Sequence, residues 1–231
     1  MEKIIFLLWK DETRSDEQFR NDLLEKMPRQ IMDNAVVAGL TINIDDDRVK
    51  KAHEKRMVAV DKAMNASVSV WLDCIQQKLQ IDSVIANYCQ KYSSYLVTES
   101  VPLKNTEHLS KPGEATTGMN HIVLLQKPEH LSRSQWLDIW QNSHTQIAID
   151  TQSTFQYIQN VVVRPLDSEC PRVDAIVEES FPEPAMTDIE AFYDAVGDKE
   201  KLKKNATDMF ESISRFIELD KLTVIPMSEY V

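Results

Sequence analysis

The chain opens on six consecutive apolar residues, Ile4 to Trp9, and then changes period. After Lys10, Asp11 and Glu12 the apolar positions are Phe19, Leu23 and Met27, one every four residues. A continuous apolar run predicts a strand buried on both faces, and the four-residue spacing predicts one stripe of an amphipathic helix. The same succession recurs later. Lys3 to Met27 lies over Asn120 to His144 without a gap, so that Ser15 matches Ser132, Gln18 matches Gln135, Phe19 matches Trp136 and Leu23 matches Trp140 at a constant offset of 117 residues. Unlike residue classes kept in one register predict two related folding units. Each helix start carries a serine followed three residues on by glutamine, and in the second unit Leu131 and Trp136 add a hydrophobic staple. The two stripes differ at their ends, where Met27 in the first unit is replaced by His144 in the second.

After each helix the pattern is again extended: Ala35 to Ile44 and Ser67 to Asp73 in the first unit, Phe155 to Arg164 and Val173 to Ser180 in the second. Helical stretches around Ser83 to Tyr92 and around Glu200 to Phe216 follow, then closing strands at Tyr95 to Val101 and Leu222 to Pro226. The order is βαββαβ twice, an α+β arrangement in which each half is a ferredoxin-like, four-stranded sheet with two helices on one face. Because the strands are apolar on both alternations, the second face of each sheet needs a partner. The repeat supplies it, so the two halves are expected to pair through their sheets within one chain. The predicted divisions are a first unit over 1–104, a linker over 105–118 containing Pro112 and Gly113, and a second unit over 119–231. The charged stretch Asp45 to Arg56 is predicted to be a solvated helix entered through an aspartate cap.

Composition narrows the function more than the fold. The 26 basic and 37 acidic side chains leave a formal charge of −11, which disfavours nucleic acid and anionic membrane as partners. The first apolar run is too short for a signal sequence or a bilayer span, so a cytoplasmic location is expected. Three cysteines, Cys74, Cys89 and Cys170, share no metal or disulfide spacing, and the four glycines form no phosphate-binding loop. No metal and no cofactor are therefore expected.

Several separated motifs resemble the EthD-type branch of the dimeric α/β-barrel superfamily. They are SRSQWLDIWQNSH, VDAIVEESF and DMFESISRF in the second half, with VSVWLD and YLVTES in the first. The resemblance implies a dimeric α/β-barrel formed by a tandem, two-repeat chain. It also implies cofactor-independent oxygenation, isomerisation, decarboxylation or dehydration of phenolic or polyketide-like compounds. A small hydrophobic or aromatic molecule is the implied partner, and a homodimer is compatible with the sequence.

His144 is the first candidate, since it matches the family's recurrent helix histidine. A histidine near a helix C-terminus can titrate near neutrality and take a proton from a carbon acid or phenol, or it can simply be stabilised by the helix dipole. Trp140 and Trp136 either wall a flat substrate or fill the core. Tyr157 can bind a substrate oxygen or a backbone group. Asp208 matches the acidic position of the family's last helix and is a further pocket candidate, with a structural role as the alternative. His121 points either under the helices or into the sheet interface. Glu178 and Glu179 are neighbours on a strand and should face opposite ways, so they cannot form a carboxylate pair. Three function classes stay open: an enzyme with His144 as general base, a ligand carrier, and a structural pseudo-dimer.

Overall fold

The computed structural model describes residues 1–33 and 36–231. Eight strands, β1 (Glu2–Trp9), β2 (Val37–Ile44), β3 (Ala66–Leu72), β4 (Lys91–Leu103), β5 (Met119–Leu125), β6 (Gln156–Pro165), β7 (Ala175–Phe181) and β8 (Thr223–Tyr230), form one closed barrel. Every pairing between them is antiparallel. The first four strands fill one arc in the order β4-β1-β3-β2, and the last four fill the other in the order β8-β5-β7-β6. The arcs join through β2 with β8 and β4 with β6, so the barrel has no free sheet edge.

Closure explains the double apolarity of the strands. Ile4, Phe6 and Leu8 of β1 lie under the helices against Phe19, Leu23 and Met27. Ile5, Leu7 and Trp9 point inward, where they meet Ile122, Leu124 and Ile225 from the other arc. One end of the interior is polar. Lys3 Nζ donates to Glu178 at 2.8 Å and to Glu99 at 2.6 Å, and Asn160 donates to Glu178 at 3.0 Å. Glu229 there accepts from Thr116, Asn120 and Gln156. A buried lysine survives only with such pairing.

The helices are α1 (Asp16–Asn21), α2 (Met27–Met32), α3 (Lys78–Ile85), α4 (Arg133–Ile139), α5 (Thr145–Thr151), α6 (Ile189–Phe192) and α7 (Lys199–Ile213). A π-helical turn joins α1 to α2 over Asp22–Lys26, and another joins α4 to α5 over Trp140–His144. Both predicted serine caps form, with Ser15 accepting from Gln18 N and Ser132 from Gln135 N. The helix expected around Ser83 to Tyr92 ends earlier, because Lys91 and Tyr92 already pair with Trp9 and Leu8 of β1 and extend β4. The predicted start of the second strand at Ala35 lies outside the described residues.

Asp46 does cap the segment Asp47–Lys55, but that segment is a 3₁₀ helix and is not solvated all round. Val49 and Ala52 are buried against Met119, Phe181 and Met186. Residues ahead of β5 are tied to β8 by Gly113 N–Val231 O and Thr116 N–Glu229 O bonds. Gly118 ends this passage at φ +96°, and a Cβ there would sit 2.0 Å from Phe181 O. Gly118→Ala is therefore expected to destabilise the fold by at least about 2 kcal/mol in denaturant unfolding, from left-handed strain plus a backbone clash. A loss below ~0.5 kcal/mol would show that β5 can shift to accept it.

Candidate active site

The side chains of β5, β6 and β7 that face the helices are set by register. His121 on β5 pairs with Glu179 on β7, and Glu179 pairs with Tyr157 on β6, so the three form one row across the sheet. Above the row run α4, the π turn and α5, which together make one continuous helix. Trp136, Trp140 and His144 project from it. An ideal α-helix would drift by about 40° at each four-residue step. The wider π turn winds back, which keeps the three on one stripe, and Thr145 N closes it by donating to Trp140 O.

Between sheet and helices is a cavity of about 140 Å³, lined by His121, Trp140, His144, Gln152, Tyr157 and Glu179 among apolar walls from Val123, Val177, Met209 and Phe216. Four predicted residues are thus brought together. A larger depression of about 650 Å³ opens at a barrel end beside Trp9, Lys62 and Glu169, and holds none of them. Asp208 is the exception to the expected set. On α7 it is Met209 and Ile213 that face the cavity, whereas Asp208 is on the outer side and pairs with Lys204 at 2.7 Å. It borders a surface groove instead, with Asp150 and Arg215.

His144 is 4% exposed. Its Nδ1 lies 3.0 Å from Ser212 Oγ, Arg215 donates to the same oxygen at 3.1 Å, and the ring packs on Phe216 with centroids 4.7 Å apart. It does not sit at a helix C-terminus as the sequence suggested, because α5 continues past it, and so a helix-end dipole does not account for it. Nor does it titrate near neutrality. Burial, followed by the charge of Arg215, lowers it to about 4, so the imidazole is uncharged at pH 7. His121 is lowered further, to about 3, by burial and then Lys55, and it packs against the stacked pair Phe181 and Phe192. It points under the helices, not into the barrel.

Trp136 fills the core and donates to Phe216 O at 3.1 Å. Trp140 borders the cavity and donates to Tyr157 Oη at 3.2 Å, so the phenol's partner is an indole and not the backbone. Burial raises the Tyr157 phenol. Glu178 and Glu179 do face opposite ways, Glu178 meeting Lys3 inside the barrel and Glu179 lining the cavity. Glu179 was not singled out from sequence. It is 7% exposed, and burial pushes its carboxyl up to about 8, so it keeps its proton at pH 7. Its signal was the pairing register: an acid set between a histidine and a tyrosine on the face where Val177 is apolar.

The corresponding place in the first arc is apolar throughout. Ile4, at the offset position of His121, pairs with Val70, and Val70 pairs with Leu40. Above them Leu23 and Met27 stand where the other helix has Trp140 and His144. Among the described residues, the second arc alone presents polar groups at this level.

Residues 128–214 match the EthD domain family. The matched stretch lies within the second half of the chain. It includes β6, β7, the π turn and α7, which line the cavity together with His121 and Val123 of β5 and Val224 of β8. The whole chain superimposes on an anthrone oxidase-like protein with a TM-score of 0.53 at 11% identity, covering 100% of this chain and 91% of that one. A protein of Lactobacillus acidophilus NCFM, provisionally assigned as a monooxygenase, gives 0.50 at 11% identity, with 99% and 93% covered. Another provisional monooxygenase, from Fusobacterium nucleatum subsp. nucleatum ATCC 25586, gives 0.50 at 12% identity, with 100% and 91% covered. At these identities the likeness is one of fold, consistent with a dimeric α/β-barrel. No curated protein sequence matches the chain. Among the described residues no helix is long and apolar enough to cross a membrane.

Proposed function

We propose that the chain is a small-molecule enzyme whose site lies in the second unit, 119–231, with His144 as general base. The reaction is cofactor-independent proton transfer or oxygenation on a hydrophobic, oxygen-bearing ring compound. The first unit, 1–104, joined through 105–118, is the other half of a tandem ferredoxin-like pair and serves mainly as scaffold. One observation carries this reading: a buried imidazole held uncharged opens on an apolar cavity, while the equivalent position in the other arc is Met27. A base must be unprotonated to act, and here burial keeps it so across the neutral range. With Nδ1–H given to Ser212 Oγ, whose second lone pair takes Arg215, Nε2 carries the free pair. The names of the fold relatives, anthrone oxidase-like and monooxygenase, agree with a substrate of this class.

The test is a turnover screen of the purified chain in aerobic buffer against phenols, enols and cyclic ketones. Products are followed by mass spectrometry, and carbon-bound proton exchange is followed in deuterated water. Turnover or exchange above the no-protein rate is the expected result. Binding without either would support a carrier, and neither binding nor turnover across the panel would reject the site.

A further inference from the structure

Three residues along the cavity keep a buried polar atom with no hydrogen-bond partner among the described residues: Glu179 Oε1, His121 Nε2 and Gln152 Oε1. Such atoms are costly to leave unmet, and most buried polar groups find partners. All three belong to residues lining the same space, whose walls are otherwise mostly apolar apart from Trp140, His144 and Tyr157. They come from three different elements, β7, β5 and the end of α5, so their convergence is a property of the tertiary fold and not of one turn. A space of about 140 Å³ is close to the ~150 Å³ apolar cavity known to accept benzene, and it is too small for fused rings without rearrangement.

We propose that this cavity takes a single six-membered ring bearing a carbonyl and a hydroxyl group, recognised along one edge by Glu179, His121 and Gln152, with the Glu179 carboxyl donating a hydrogen bond to the carbonyl. The proposal rests on the reading of this cavity as a small-molecule site, and it names the class of molecule. Gln152 Oε1 is an acceptor and suits the ligand hydroxyl, whereas a protonated carboxyl offers the donor that a carbonyl needs. His121 Nε2 serves either partner according to its tautomer. The apolar faces from Val123, Val177 and Phe216 hold the ring.

The groups facing Glu179 are His121 from β5, Tyr157 from β6 and His144 from the π turn. Beyond Phe192 stands Lys55, and behind His144 stands Arg215. Both histidines titrate far below neutrality and Tyr157 is raised, so Glu179 is the cavity group that changes charge near pH 8. Once ionised it repels a carbonyl oxygen. Affinity should therefore hold below about 8 and fall above it.

Calorimetric titration of the full chain with 2-hydroxyacetophenone, toluene and anthrone between pH 6 and 9 tests this. That range stays below the ordinary phenol ionisation near ~10. The expected result is that 2-hydroxyacetophenone binds at least tenfold tighter than toluene at pH 7, that anthrone does not bind, and that affinity drops at least fivefold from pH 7 to 9. Glu179→Gln keeps a donor but cannot ionise, so it should flatten the pH profile while Lys55 and Arg215 remain. Glu179→Leu should bring 2-hydroxyacetophenone down to the level of toluene. Binding of anthrone as tight as that of the single ring would overturn the size assignment. Equal binding of toluene, or a pH profile unchanged in Glu179→Gln, would overturn the polar edge; either outcome leaves a small-molecule site standing. If Glu179→Gln does not fold, the wild-type comparison of toluene with 2-hydroxyacetophenone across pH still decides. Failure of all three probes to bind rejects this inference, whereas turnover in the broader screen would keep the enzyme reading alive without it.

Discussion

Replacing His144 with alanine should lower turnover of any substrate found by screening by about a hundredfold to ten-thousandfold, the usual cost of losing a positioned general base. That corresponds to roughly 3 to 5 kcal/mol of lost transition-state stabilisation. The imidazole is uncharged because it is buried, and the same burial makes it a weak base in the empty cavity. A substrate that develops negative charge on oxygen reverses this, since an adjacent anion favours the protonated ring. The loss should therefore fall on kcat more than on KM, because the charge pair exists only as the proton moves.

The pH dependence provides a second reading of the same residue. A base acts only when unprotonated, so kcat/KM should hold down to about pH 4 and fall below it. If Glu179 must stay protonated, the alkaline limb should fall near 8. The two groups are thus inverted relative to their order in water: the carboxyl holds a proton that the imidazole does not. His144→Asn, which keeps a polar group against Ser212, separates chemistry from packing. A rate in either variant equal to wild type would remove His144 from the chemical step, and the carrier reading would then take its place.

Much of this fold was legible because its signals are local or periodic. The unbroken run Ile4 to Trp9 and the match of Lys3–Met27 to Asn120–His144 already required two sheets with both faces covered, and the barrel interior supplies the second cover. What was not legible depends on long-range pairing. The early end of α3 follows from Lys91 and Tyr92 pairing with β1, which no local pattern signals. The π turn at Trp140–His144 hides behind ordinary helical residues, and so His144 read as a helix end. Asp208 was misplaced because likeness to a motif does not say which side of a helix faces inward; Met209 and Ile213 take that side. Glu179 was missed because its neighbours in space, His121 and Tyr157, are 58 and 22 residues away in the chain and are joined to it only by register.

The stability of the folded chain should decline as pH rises above about 6.5, and Glu179→Gln should remove most of that decline. Between 4.5 and about 8 the folded state keeps a proton on Glu179 that the unfolded chain releases, so stability falls as pH rises through that window. Both histidines act in the other direction. Below 6.5 the unfolded chain binds protons that His144 refuses until about 4 and His121 until about 3, so stability falls as pH falls. Below 6.5 the two histidines act against the two raised carboxyls, Glu179 and Glu229; above 6.5 only the carboxyls' effect remains. Ionising Glu179 inside the fold costs on the order of 4 to 5 kcal/mol, taking about 1.4 kcal/mol for each pH unit between 4.5 and about 8. Urea unfolding at pH 5 to 9 should show wild type losing about 2 kcal/mol between pH 6.5 and pH 9. Glu179→Gln should lose far less, keeping only a residual slope from Glu229, whose buried carboxyl is also raised. Parallel curves for the two proteins would mean that the Glu179 carboxyl ionises in the fold as easily as in water, and its role as a proton-holding donor in the cavity would be lost with that result.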